Sequence, residues 1–390
     1  MATKLFESNW GSTKNALLHG LSGNRKQTMD VLFENTRRHL TESATAGATQ
    51  AGNIAILNKV MLPLIRRVMP TVIANEILGV QPMTGPIGQI HTLRVRYANT
   101  AAGVTAGTEA LSPFEIANAY SGNETAGSPG AATTARLEGV PGNRLSIQVL
   151  KETVEARTRK LSARWTFEAA QDANAINGID IEAEIMQALA QEITVEIDQE
   201  LLARLGALVP VAPVTFDQSA VSGTATYVGD EMAALAVMIN QQANLIAART
   251  RRGAGNWAVV STNALTVLQS ATTSSFARTT EGTFEAPTNT KFVGTLNSTM
   301  RVYVNQYAGD GEAVLIGYKG PTETDAAAFY CPYIPLMSIG PVMDPQTLEP
   351  TVGFMTRYGY LELTNTSNSF GNSQDFVSKV GINSSTLRFY

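Results

Sequence analysis

The stretch IDIEAEIMQALAQEITVEIDQELLARLG, Ile179 to Gly206, decides how this chain is organised. Its apolar residues stand at Ile181, Ile185, Leu189, Ile193, Ile197, Leu201 and Leu205, always four apart. A helix turns once in about 3.6 residues, so each step of four drifts by about 40°. The apolar stripe therefore winds around the rod and meets different partners along its length. Met186, Ala190, Val195 and Leu202 widen it. A helix over this span would be about 42 Å long. Gly206 and Pro210 supply its stop.

The same helix carries Asp180, Glu182, Glu184, Glu192, Glu196, Asp198 and Glu200, with Arg204 as the basic residue near its end. Two readings stand side by side. One is a solvated acidic face. The other is a rod in want of a basic partner, drawn from Arg94, Arg96, Arg136 and Arg144 or from Arg157, Arg159, Lys160 and Arg164. The sharper form of the second reading pairs Arg136 and Arg144 with Glu192 or Glu196 of another subunit.

Moving toward the N-terminus, GQIHTLRVRY, residues 88–97, alternates apolar and polar positions like a half-buried strand. Arg144 to Val149 alternates in the same way. Between them, Ala98 to Pro141 is dominated by Ala, Gly, Thr and Ser. Two strands around so long a small-residue segment predict an extended hairpin, and such loops usually serve a function. Residues 53–79 predict two or three short helices broken at Pro63 and Pro70. Residues 1–50 hold two short helical patterns, Lys14–Leu21 and Lys26–Leu40, and give way to a flexible Ala, Thr and Gly run. That terminus is either loosely attached or an arm that reaches a neighbour.

Toward the C-terminus a helix is expected over Asp230–Arg249 with Asp230 as its cap. A short helix is expected over Asn263–Leu268. Strands are expected at Trp257–Val260, Met300–Gln306, Ala313–Tyr318, Ala327–Tyr330 and Val352–Leu363. The class is α+β.

Composition narrows the function. The chain has 390 residues, 44% hydrophobic, enough for a sizeable core. Charged residues make up only 16%, against about 25% in soluble domains, as expected of a subunit that hides surface in protein contacts. A net charge of −4 argues against tight phosphate binding. No run of 18 apolar residues is present, so no transmembrane helix and no membrane partner is expected. The N-terminus lacks the apolar core of a secretory signal, which predicts a protein working in the cytoplasm where it is made.

Searches for chemistry return little. His19, His39 and His91 stand in no metal-ligand spacing. Neither phosphate-binding glycine pattern occurs, nor a nucleophile elbow. Cys331 is the single cysteine and is expected to act as a small buried hydrophobe. The helix carboxylates lack the Glu-x-x-His motif of di-metal bundles. Arg249, Arg251 and Arg252 are best placed as helix C-terminal charges. No catalytic residue, cofactor or metal is assigned, and an enzyme is not expected.

Longer blocks are more specific. RRVMPTVIANEILGVQPMTGPIGQIHTLRVRY, Arg66 to Tyr97, and ARWTFEAAQDANAINGIDIEAEIMQALAQEITVEIDQELL, Ala163 to Leu202, resemble signatures of the major capsid proteins of T-even-type contractile-tailed phages. GNWAVVS (255–261), VLIGYKG (314–320), DAAAFYCPYIPL (325–336) and GFMTRYGY (353–360) are similar to further blocks, in family order.

That resemblance implies the Hong Kong 97-type capsid fold. Residues 1–52 would be the N-terminal arm, 53–87 the first part of the peripheral domain, and 88–150 an extended loop lying over a neighbour. Residues 151–206 would hold the spine helix of the peripheral domain, 207–340 the axial domain, and 341–390 a return to the peripheral domain. The subunit would form hexamers and pentamers of an icosahedral head around double-stranded DNA, without sequence-specific binding. Portal, scaffolding and decoration proteins would be its other partners, with assembly in the host cytoplasm and a place in the virion. An encapsulin-type compartment shell of the same fold is the alternative.

The resembling family often removes an N-terminal segment by cutting after Leu- or Ile-x-Glu, a pattern met here at Glu7, Glu34 and Glu42. The terminus here instead holds Leu5, Phe6, Trp10, Leu17, Leu18, Leu32 and Phe33, which would invite aggregation if exposed. Residues 1–50 are therefore expected to stay attached as an ordered arm, with Trp10 and Phe33 buried on a neighbouring subunit.

Overall fold

The computed structural model describes residues 10–11, 14–45, 72–101, 103–110, 120–122, 131–139, 141–177, 180–221, 228–271, 276–278, 291–309, 311–344, 349–363 and 372–387. Its helices are α1 (Gly23–Thr45), α2 (Ala74–Ile77), α3 (Thr134–Leu137), α4 (Phe167–Asn177), α5 (Ile181–Leu208), α6 (Gln218–Val221), α7 (Val228–Thr250) and α8 (Thr262–Ser270). Its strands are β1 (Gly79–Val80), β2 (Ile87–Tyr97), β3 (Leu145–Glu155), β4 (Arg157–Arg164), β5 (Val214–Phe216), β6 (Trp257–Val260), β7 (Phe276–Arg278), β8 (Lys291–Leu296), β9 (Met300–Val304), β10 (Val314–Gly317), β11 (Ala328–Met343), β12 (Pro350–Glu362) and β13 (Val377–Ile382). The α+β class holds. Among the described residues no helix is long and apolar enough to cross a membrane.

The long helix forms where its pattern places it. Asp180 caps α5, its Oδ1 accepting the Glu182 N–H at 3.1 Å. Glu182 and Glu184 in the first turn face the positive end of the helix dipole. The helix passes through Gly206 and ends at Leu208, just before Pro210. Its winding stripe is half-exposed at the start, while Leu189, Ile193, Ile197, Leu201 and Leu205 lie in the main core.

The strands form three sheets. A four-stranded sheet runs β1-β11-β12-β4, a seven-stranded sheet runs β5-β13-β10-β6-β9-β8-β7, and β2-β3 stand as a two-stranded ribbon. The buried strands of the seven-stranded sheet are continuous apolar runs, WAVV in β6 and VLIG in β10. One hydrophobic cluster joins this sheet to α5, α7 and the inner ends of β11 and β12.

Several expectations shift. Residues 157–164 fall in the 151–206 span expected to hold the spine helix, yet RTRKLSAR alternates between exposed and half-buried positions and pairs with β12 as a strand. β11 runs far past Tyr330, because register shifts between Pro332 and Ile334, Ile334 and Met337, and Ile339 and Val342 absorb its prolines. α7 begins at Val228, so Asp230 lies in its first turn and is not its cap. From Ala328 the chain already belongs to the four-stranded sheet, before residue 340. β13 then carries residues 377–382 back into the seven-stranded sheet, antiparallel to β10 and parallel to β5. The C-terminal segment is thus shared between the two sheets. The expected helices over 53–71 and the flexible run after Thr45 lie outside the described residues.

Candidate assembly surface

β2 and β3 pair antiparallel without a break from Ile87↔Glu155 to Tyr97↔Leu145. Directly opposed residues share a face and successive residues alternate. One face therefore collects Leu93, Val149, Ile147 and Leu145. Each is more than half exposed, Ile147 at 68%. Val95 and Tyr97 share this face and are covered by the tip segment, whereas among the described residues no second layer lies over the other four.

The ribbon is stiffened at both ends. On its other face Arg94 is buried and forms a bidentate pair with Glu109, at 3.0 and 2.8 Å. At the tip, Tyr97, Val104, Ala110 and Tyr120 make a small core of their own. The Tyr97 and Tyr120 rings meet edge to face at 4.5 Å, and the Tyr120 hydroxyl donates to the Arg144 carbonyl at 2.7 Å. At the base, Val154 packs with Met83, Phe329 and Cys331. Gly359 of β12 passes so close that a Cβ there would sit 2.5 Å from Val154 Cγ2. Only Ala156 separates β3 from β4, and its N–H donates to the Pro86 carbonyl at 2.9 Å.

The acidic helix finds its basic partner next door. Arg159 of β4 reaches Glu196 at 2.6 Å and Glu200 at 2.5 Å on α5, and its Nε donates to the Tyr358 hydroxyl at 2.6 Å. Tyr358 donates in turn to Glu200 at 2.5 Å, and Arg204 pairs with Glu200 at 2.9 Å. Burial raises the Glu200 carboxyl, but hydrogen bonds from Arg159 and Tyr358 outweigh it and hold the group below its usual range. A polar cleft of about 410 Å³ opens here, between the hairpin base, β4 and α5.

The six residues proposed as inter-subunit contacts fall as follows. Phe33 is fully buried inside its own chain, with Leu18, Met29 and Leu32 of the N-terminal segment against Ile334 and Met337 of β11. This corrects the expectation that Phe33 packs on a neighbour, because no part of its surface is left to offer. Trp10 is half-buried beside the same cluster, donates to Glu34 at 3.4 Å and lies under Arg37. Glu196 is engaged by Arg159 of the same chain. Arg144 and Glu192 are exposed. Arg136 lies on α3, and its side chain is outside the described residues. Arg159 was one of eight basic candidates for the helix, and no sequence signal singled it out.

Catalytic chemistry finds little footing. Among the described residues there is no group of three or more His, Cys, Asp or Glu able to hold a metal. His91 is exposed on the ribbon. Cys331 is buried, and that burial pushes its thiol up to about 12, far from a thiolate nucleophile. One buried acid stands apart. Asp198 of α5 accepts the Ile73 N–H at 3.0 Å, and burial pushes its carboxyl up to about 7.

The family model described as Major capsid protein Gp23 matches residues 54–141 and 129–382. The Major capsid protein of Vibrio phage KVP40 is 28% identical over 440 aligned residues, covering 88% of this chain and 84% of that protein. The Major capsid protein of Enterobacteria phage T4 is 30% identical, covering 80% of this chain and 76% of that protein. A chain from "The capsid of Myoviridae Phage XM1" aligns with 80% of this chain and 92% of its own at 10% identity, with a TM-score of 0.46.

Proposed function

Because this chain belongs to the major capsid protein Gp23 family, we propose that it adopts the Hong Kong 97-type fold and closes into an icosahedral head through its hairpin, which lies over a neighbouring copy. The protein is a major capsid protein of the myovirus type, a structural component of the virion. The family and its relatives are phage capsid proteins, which leaves the encapsulin-type alternative without support.

One observation carries the proposal: the apolar stripe of Leu93, Val149, Ile147 and Leu145, left exposed on the ribbon by the described residues. Burying one such side chain contributes about 1.5–3 kcal/mol. Four together per copy suit a permanent contact, of a kind that repeats heterologously around a shell. The tip core and the Arg94–Glu109 pair keep the ribbon pre-formed, which lowers the entropic cost of docking. In this reading 88–150 is the extended loop, α5 the spine helix, and the seven-stranded sheet the axial domain. Hexamers and pentamers then form the head around double-stranded DNA. A net charge of −4 leaves that DNA without a sequence-specific or tightly held contact. Assembly takes place in the host cytoplasm, with portal, scaffolding and decoration proteins as further partners, and no catalytic step is involved. Arg144, at the ribbon end, pairs with Glu192 of the neighbour.

Ile147→Asp tests the hairpin contact. The chain should remain folded by circular dichroism, because the side chain is exposed, yet give no shells by negative-stain electron microscopy. Shells in wild-type yield from this variant would sink the hairpin reading.

A further inference from the structure

From Met232 to Ala248, α7 contains no charged residue. Its inner face packs on the seven-stranded sheet, where Gln242 accepts from Ser378 at 2.8 Å and a Cβ on Gly255 would lie between Ala243 and Ile316. Its outer face exposes Val237, Gln241, Asn244, Leu245 and Ala248, which fall on one stripe at helical spacing. Val237 is 66% exposed. Charges return at the two ends, with Asp230 before the stripe and Arg251 after it, both exposed. An uncharged centre between charged ends is the anatomy of a protein interface.

A receptor of matching character lies on the opposite face of the same sheet. Lys379 and Ser378 are neighbours on β13 and so point to opposite sides. Ser378 meets α7, whereas Lys379 meets Gly206 near the end of α5. A groove of about 320 Å³ opens there, lined by Ala203, Ala207, Ala308, Val259 and Leu315. Burial lowers the Lys379 ammonium, and the nearby Glu312 charge acts against that shift. Both residues line the groove, so it carries one charge of each sign.

We propose that the outer face of α7 seats in the Ala203–Ala207 groove of the next copy of this chain. The occupant is a second copy because the two surfaces lie on opposite faces of one sheet. A ridge on one side and a groove on the other make a heterologous contact, each copy giving one and receiving the other, and such contacts form a ring when the rotation between copies closes, as the shell reading requires. The groove's alanines leave room for Val237 and Leu245, which stand about 12 Å apart along the helix. Gln241 and Asn244 can satisfy their own hydrogen bonds at the rim. This inference rests on the shell reading and names the contact within each ring, separate from the hairpin contact.

Cysteine pairing tests it in assembled particles. Val237→Cys combined with Ala207→Cys, treated with a short thiol-reactive bifunctional reagent, should give a covalent ladder rising past dimer to the ring size. The native Cys331 is buried and adds little background. Val237→Cys alone should give no ladder. Dimers from Val237→Cys alone would mean that α7 meets α7, which overturns the proposal. Particles that look intact by electron microscopy but yield no ladder also overturn it, while leaving the hairpin reading untouched. Absence of any particles from the wild-type chain would sink the shell reading and this inference with it. A second variant, Val237→Asp, should stay folded and fail to close rings, and wild-type yields of rings from it would count against the contact.

Discussion

Arg159 binds Glu196 and Glu200 across one face of α5 and shares the Tyr358 hydroxyl with Glu200. The arrangement follows from strand register. Arg157 opposes Tyr358 and Arg159 opposes Thr356, so Arg159 and Tyr358 are diagonal neighbours on one sheet face, turned toward the helix. Arg159→Met should keep the packing of the aliphatic stem and remove the charge. Solvent reaches this site, so the loss should be modest, about 1 kcal/mol in a urea titration. Added salt should shrink the difference between the two proteins. The Glu200 carboxyl is held below its ordinary value, so its contribution is present above the unfolded pKa and is lost as pH falls through the folded one. Arg159→Met should therefore flatten the acid limb of the stability curve, and an unchanged limb would assign that limb to other groups.

Asp198 works in the opposite sense. Its folded pKa is raised to about 7, above the unfolded value near 3.8, so the folded chain holds the proton more tightly. That contribution is fully present below about 4 and is lost as pH rises through about 7. Among the described residues, Tyr330 is a titratable group whose charge interacts with it, and burial pushes its hydroxyl well above the usual range. Asp198→Asn keeps an oxygen for the Ile73 N–H and removes the buried charge. At pH 8 the variant should be the more stable by about 2–4 kcal/mol. Near pH 4 the two should unfold alike in chemical denaturation. A variant that is weaker at pH 8 would show that the charged carboxylate has a partner worth more than its desolvation.

Phe33→Ala addresses the N-terminal segment. With Phe33 inside the chain's own core, truncation should cost about 3–5 kcal/mol in the folded subunit itself. Removing residues 1–40 would also take away Asn35, whose amide donates to the carbonyls of Met83 at 2.8 Å and Tyr333 at 2.9 Å. The shortened chain should melt earlier and bind a hydrophobic dye, because Ile334 and Met337 lose their cover. If thermal scans of Phe33→Ala matched wild type, the helix would not be docked on its own chain.

Gly359→Val probes the hairpin base. The added Cβ meets Val154 Cγ2 at 2.5 Å and the Glu155 carbonyl oxygen at 3.2 Å, so β12 and β3 must move apart. The expected cost is about 1–3 kcal/mol, with faster amide exchange at residues 153–156. Unchanged exchange there would show that the base is less tightly packed than the geometry implies.

Much of the frame was readable beforehand. The long helix and the alternation on both sides of the hairpin are local patterns, and local patterns survive in the folded chain. The central strands β6 and β10 announced themselves as short β-branched runs. The rest depends on partners distant in sequence. β4 is missing from the expected strands because basic residues dominate it, and pairing with β12 makes it a strand. Prolines hid β11, since the register shifts that accommodate them exist only against β12. Phe33 was readable as an apolar anchor, but whether it would bury in its own chain or another is a question of tertiary contact. The choice of Arg159 among eight basic residues was likewise invisible until register placed it beside Tyr358.

The junction at Ala156 leaves no slack. One residue joins the ribbon to β4, so a pull on the hairpin enters the body at Arg157 and is shared along the paired length of β4 and β12. Two residues further on, Arg159 pins that strand to α5. Load from a neighbour would thus pass from ribbon to sheet to rod without a compliant hinge, and each subunit would act as a taut link in a chain of tethers.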